Sequence, residues 1–209
     1  MGETIVDLST WPRVQTFAFF RTFQQPHYAI TTRLDVTHAL ARRAANGLSF
    51  YRACLFAIGA GVHAVPALRM RFRGDLVLLH DAVELSMTVP RPDGSFGYAY
   101  VPWLSDLIAF EAQARRLIAA VAAGNALAPN TTRDDMVYLS CLPWLDFTSL
   151  NNAMPSAAEC IPRVSWGKYV PDGPERATMA MTIEVHHALA DGAHIGAFFE
   201  AVQGTLDGL

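Results

Sequence analysis

Lysine is almost absent from this 209-residue chain: Lys168 stands alone beside fifteen arginines. Charge is sparse as well, at 17% of residues with a net charge of −3. No cationic excess is left to lay along a nucleic-acid backbone. Cysteine is scarce: Cys54, Cys141 and Cys160 are odd in number and widely spaced. That excludes a disulfide framework and a metal-type Cys spacing, and two of the three sit in apolar runs that predict buried free thiols. Every apolar run is broken by Arg, His, Pro or Gly before about 18 residues, so no helix is expected to cross a membrane. The first ten residues carry charges and no long apolar stretch, so the expectation is no secretion signal and a cytoplasmic location. Repeats, low-complexity linkers and a Gly-x-Ser-x-Gly elbow are missing too.

What is present is core material. Hydrophobic residues make up 52% of the chain, enough for one domain over residues 1–209. Periodicity predicts helices at Val14–Phe23, Thr37–Ala45, Phe50–Ala64, Asp106–Ala123 and Gly192–Leu206. Ser105 is the expected cap of the fourth and Gly47 the stop of the second. Strands are predicted at Tyr28–Val36, Leu68–Arg73, Leu76–His80, Glu84–Val89, Phe96–Val101, Val137–Leu142, Arg163–Tyr169 and Thr178–His187. Gly74-Asp75 and Pro92-Asp93-Gly94 mark turns, and Asn125–Thr132 a loop. The order is not a regular βαβ alternation, which points to an α+β layered domain with a mixed sheet.

Three short stretches carry possible chemistry. His186-His187-Ala188-Leu189-Ala190-Asp191-Gly192 takes two histidines to the end of a strand, then turns into a helix. Adjacent strand residues point to opposite faces, so only one histidine can serve a given site as a base. Asp191 fits a helix N-cap equally well. His187, Asp191 and His194 are capable metal ligands, but nothing at sensible spacing completes a set, and no metal is expected. Pro143-Trp144-Leu145-Asp146-Phe147-Thr148-Ser149 brackets hydroxyl residues with aromatics, either to anchor a loop or to aim a donor at developing negative charge. Ser165-Trp166-Gly167-Lys168-Tyr169 places a glycine inside a strand, a sign of close approach. Its lysine reads either as a solvated strand end or as a phosphate contact.

Taken with Trp11-Pro12-Arg13, Phe17, Phe19, Leu34-Asp35-Val36-Thr37, Phe50-Tyr51 and Leu68-Arg69-Met70-Arg71, these stretches occur in an order that resembles the chloramphenicol acetyltransferase family of non-hexapeptide type. The likeness covers almost the whole chain. It implies a CoA-dependent acyltransferase fold, a two-layer α/β sandwich whose mixed sheet is covered by helices. It also implies transfer of acetyl from acetyl-CoA to a hydroxyl of chloramphenicol, by direct attack in a ternary complex, which inactivates the antibiotic. The implied assembly is a homotrimer with active sites between subunits.

By the same resemblance, His187 is the general base and Ser149 the oxyanion donor. Ser165, where a Thr is usual, holds an ordered water. Asp191 pairs with Arg13 as a brace. Lys168, Trp144 and Ser149 meet the CoA, and Phe19, Phe20, Tyr28, Phe96 and Tyr98 line the acceptor pocket. Two positions depart. Ser49 stands where a CoA-holding Lys is common, leaving Arg52 as a conceivable substitute. Phe20 lacks the hydroxyl of a common Tyr, a change of the kind that retunes acceptor choice. The alternatives are another small alcohol or amine as acceptor, or a non-catalytic ligand-binding homologue.

Overall fold

The computed structural model describes residues 2–124 and 132–209. Nearly all of the expected loop at Asn125–Thr132 lies outside them. In chain order the elements are β1 (Glu3–Ile5), α1 (Val14–Phe20), β2 (His27–Asp35), α2 (Thr37–Asn46), α3 (Phe50–Ala64), β3 (Met70–Arg73) and β4 (Leu76–His80). There follow β5 (Glu84–Pro90), β6 (Phe96–Pro102), α4 (Leu107–Ala122), β7 (Met136–Leu142), β8 (Arg163–Pro171), β9 (Ala177–His186) and α5 (Gly192–Asp207).

Six strands form one mixed sheet in the order β2-β9-β8-β7-β5-β6. The pairs β5·β7 and β7·β8 are parallel and the others antiparallel. Alternation along these strands builds two unlike faces. Leu85, Met87, Ala99, Val101, Val137, Val164, Trp166, Met181, Ile183 and Val185 are buried in one cluster with residues of α3, α4 and α5. The other face carries hydroxyls. Tyr100, Ser86, Tyr138, Arg163 and Glu184 share one cross-strand row, and Ser140, Ser165, Thr182 and Thr31 the next. Helix α3 lies close on α5 because Gly61 has no side chain. A Cβ there would come within 2.6 Å of Val202 and 2.9 Å of the Phe198 ring.

A second, three-stranded antiparallel sheet, β1-β4-β3, was not foreseen as separate. β1 is three exposed residues, too short to show a period. The strand expected from Leu68 begins at Met70, because Pro66 opens a 3₁₀ turn running to Arg69. Helix α1 ends at Phe20, three residues early, and α4 is capped by Asp106, whose carboxylate accepts from Ala109 N at 2.7 Å, rather than by Ser105.

The small sheet, α1 and the turn after β9 enclose their own core of Phe17, Val77, Cys160, Ala188 and Leu189, packed with Trp11, Phe20 and Phe72. Arg71 joins the two sheets. It is fully buried, and its guanidinium donates to the carbonyls of Asp134, Leu68, Met70 and Met136. Spread over four acceptors, the buried cation is satisfied without a carboxylate contact. The result is a ledge of tight packing at one end of β9, where the double histidine falls.

Candidate active site

The two histidines divide as strand geometry requires. His186, the last residue of β9, is buried. Its Nδ1 accepts from Ala188 N at 3.1 Å, which fixes Nε2 as the protonated nitrogen that donates to the Ala157 carbonyl at 3.1 Å. Burial first, then the nearby His27, pushes its pKa down to about 4. A residue held neutral and doubly bonded is a structural one.

His187 takes the other direction. Its imidazole stacks on Phe20 with ring centroids 3.8 Å apart and planes 5° off parallel, and Tyr28 lies 4.6 Å away at a tilt. Its backbone N donates to the Pro26 carbonyl at 2.9 Å. Nδ1 is buried without a hydrogen-bond partner, which leaves Nε2 as the nitrogen able to exchange a proton with a ligand.

No carboxylate serves that ring. Asp191 caps α5, accepting from Ala193 N at 3.1 Å, and its Oδ1 lies 2.7 Å from His194 Nδ1. Its other oxygen accepts from Arg13 Nη1, while Arg13 Nη2 donates to the His187 carbonyl at 3.3 Å. Burial opposes ionisation of Asp191, but the hydrogen bonds from His194 and Arg13 outweigh it and hold the carboxyl at about 2. The turn between His187 and α5 is thus pinned by an ion pair.

The hydroxyl residues lie elsewhere. Ser149 is exposed, in the segment that leaves β7. That segment presses on β8 where Gly167 has no side chain. A Cβ at Gly167 would meet the Leu145 carbonyl at 2.5 Å and the Phe147 ring at 3.0 Å. Lys168 N donates to the same carbonyl at 2.8 Å, at a bulge in the β8·β9 pairing. Exposed Lys168 and Trp144, 78% exposed, therefore share one end of the sheet with Tyr169. The Tyr169 ring packs on Phe50 at the start of α3. Ser49 is the N-cap of that helix. Arg52 is not free to replace a lysine there, because it is paired with Glu111 at 2.6 Å.

Ser165 is buried on the hydroxyl face, opposite Thr182. It lines a cleft of about 390 Å³ together with Tyr98, Ser86, Tyr138, Asn152 and Arg163. Phe96, 56% exposed, stands beside Tyr98 at 5.6 Å. The expected acceptor residues thus fall into two groups. Phe19, Phe20 and Tyr28 go with His187, and Phe96 and Tyr98 with Ser165. Tyr28 packs into the helix-covered core, while Ser165 faces the other side of the sheet. Within the one chain His187 and Ser165 therefore lie on opposite sides of the sheet. Ser86, Tyr138 and Arg163 were missed from the sequence, although polar residues at every second position of β5, β7 and β8 were the available signal.

Comparison with known proteins places this geometry. The family profile described as "Chloramphenicol acetyltransferase" matches residues 1–203. A chloramphenicol acetyltransferase of Proteus mirabilis is 28% identical over 209 residues, covering 99% of this chain and 96% of the relative. Chloramphenicol acetyltransferase 3 of Escherichia coli is 25% identical, covering 97% and 96%. A solved chloramphenicol acetyltransferase superposes with a TM-score of 0.87 at 25% identity, covering 98% of this chain and all of that one. The dihydrolipoamide acetyltransferase of Azotobacter vinelandii shares the fold, with a TM-score of 0.67 at 16% identity over 93% and 86% of the two chains.

Two measurements test the local geometry. The folded protein resists protonating His186 until about pH 4, whereas the unfolded chain takes up that proton near 6.5. Stability is then fully present above pH 6.5 and falls as pH drops from there to about 4. Urea titrations across this window are expected to show the slope, and His186→Gln to reduce it by about one proton. Gly167→Ala forces a Cβ against a backbone carbonyl, so it is expected to cost about 1–3 kcal/mol in the same titration. A variant as stable as the parent would show that the turn after β7 does not rest on β8.

Proposed function

Because the chain belongs to the chloramphenicol acetyltransferase family, we propose that it is an O-acetyltransferase that moves acetyl from acetyl-CoA to a hydroxyl of chloramphenicol. The thioester supplies an activated acetyl group. His187 Nε2 removes the proton of the acceptor hydroxyl, and the acceptor oxygen forms its bond to the thioester carbonyl. Ser149 donates a hydrogen bond to the oxyanion of the resulting tetrahedral species. Breaking the C–S bond then releases the thiolate of CoA, which takes the proton back from the His187 imidazolium. Ser165 holds a water near the oxyanion, and Asp191 with Arg13 fixes the turn that carries the base.

The observation that carries this reading is the His187 ring, held against Phe20 and Tyr28 with Nδ1 buried and only Nε2 available. The end of the sheet that joins exposed Lys168, exposed Trp144 and the start of α3 fits a phosphate-bearing cosubstrate. Lys168 N donates to the Leu145 carbonyl, in the same segment after β7 that carries Ser149, which supports placing the oxyanion donor and the cosubstrate contact on one side of the site.

The separation of His187 from the hydroxyl face favours a site completed by a second copy, as in the homotrimer that the family resemblance implies. One chain supplies the base with Phe19, Phe20 and Tyr28. Its neighbour supplies Ser149, Ser165, Phe96 and Tyr98. Three free cysteines suit a reducing cytoplasm. Among the described residues no helix is long and apolar enough to cross a membrane.

The test is release of free thiol from acetyl-CoA in the presence of chloramphenicol. His187→Ala is expected to lower kcat by about 10²–10⁴-fold with the fold retained. Ser149→Ala is expected to lower kcat by about 10²-fold. Near-normal turnover by the first variant would remove the central claim, and a change in KM alone for the second would make Ser149 a binding residue. A site shared between copies predicts a further result. Refolding the two inactive variants together restores part of the activity, because some interfaces then pair an intact His187 with an intact Ser149. No recovery after subunit exchange would place the whole site within one chain.

A further inference from the structure

Between the end of β7 at Leu142 and the start of β8 at Arg163 the chain forms neither helix nor strand, and Ser149 lies in that stretch. The stretch is tied to the sheet just before the serine. Lys168 N donates to the Leu145 carbonyl at 2.8 Å, and Arg33 Nη1 donates to Asp146 Oδ1 at 2.9 Å. From Phe147 to Asn151 no residue makes a hydrogen bond among the described residues. The bonds resume at Asn152.

One side chain fixes Asn152. Glu184 Oε2 accepts from its backbone N at 2.6 Å and from its Nδ2 at 2.9 Å. Glu184 lies on β9, is 4% exposed, and shares a face of that strand with His186. His186 in turn donates to the Ala157 carbonyl of the same stretch. Arg163 stands opposite Glu184 in the β8·β9 pairing and donates to the Ala153 carbonyl. Two opposite charges thus grip consecutive residues, the carboxylate by an N–H and the guanidinium by a C=O.

A buried carboxylate is costly unless hydrogen bonds and a counter-charge replace its lost water. Two N–H groups on one oxygen and an arginine in register meet that need here. What the arrangement supplies is geometry, because both bonds converge on a single atom held by the sheet. An oxyanion donor acts only if its hydroxyl is already in place when charge develops, and a shift of about 1 Å can cost about 10²-fold. An exposed serine on a run without hydrogen bonds takes its place from the two ends of that run. The upstream end is Leu145 with Asp146, and the downstream end is Asn152.

We infer that Glu184, with Arg163 beside it, is a positioning residue for acetyl transfer that sets Ser149 through Asn152. This rests on the reading above, in which Ser149 is the oxyanion donor.

The test is a double-mutant cycle, followed by thiol release from acetyl-CoA with chloramphenicol as acceptor. Glu184→Met removes the acceptor oxygens and keeps an unbranched side chain of similar length, whereas Glu184→Gln keeps one acceptor oxygen. Glu184→Met is expected to lower kcat about tenfold with both KM values within about twofold, and Glu184→Gln to recover most of the loss. Added to Ser149→Ala, Glu184→Met is expected to cost less than about twofold more, because no hydroxyl is left to misplace. Melting temperatures verify the fold. If Glu184→Met does not fold, Asn152→Ala carries the same cycle from the loop side, with an expected loss of about threefold that vanishes beside Ser149→Ala. Parental kcat in whichever of these variants folds, Glu184→Gln no faster than Glu184→Met, or losses that multiply in the double variant overturn the inference while Ser149 keeps its role. Parental kcat in Ser149→Ala removes that role and the inference with it.

Discussion

The ion pair between Arg13 and Asp191 fixes the turn between β9 and α5. It joins residues 178 positions apart and ties the start of α1 to the start of α5. One carboxylate caps α5, faces His194 and receives Arg13, and the same arginine reaches the His187 carbonyl. None of its oxygens is left for the imidazole. The His187 ring is positioned by packing and by its backbone, not by a charged partner. That differs from a Ser-His-Asp triad, in which the acid sits on the histidine and selects its tautomer.

Much of this was legible in the residues. Strand alternation at His186 and His187 assigned them opposite directions before any contact was known, and the glycine in Ser165-Trp166-Gly167 announced a close approach that proves to be the Leu145 carbonyl. The helix and strand order was readable because most elements are long enough to show a period. What escaped notice has physical reasons. β1 is too short for a period, and the chain gives no local sign that β1, β3 and β4 leave the main sheet. Arg52 looked available because its partner Glu111 lies 59 residues away. Ser86, Tyr138 and Arg163 were overlooked because each alone is an ordinary strand residue. Only the register across β5, β7 and β8 collects them into one surface.

The two faces of the main sheet do different work. One is sealed by α3, α4 and α5, and it keeps the strands in register. The other is left hydroxylic, with Thr31 and Thr182 bonded to each other at 2.6 Å and Asn152 bonded to Glu184. Such a face is too polar for a core and too buried for open water, which suits it to receive a ligand or another copy of the chain. His187 belongs to the first side and Ser165 to the second, so the two draw on different layers of the same fold.

That segregation has a consequence for heredity. The residues packed around His187 come from the stretches around Arg13, Phe20 and Tyr28, whereas those that line the cleft come from β5 through β8. Substitutions in the cleft can therefore accumulate in the middle of the gene without touching the segments that pack around His187. A lineage carrying this chain can change one of these surfaces in small steps while the other stays as it is.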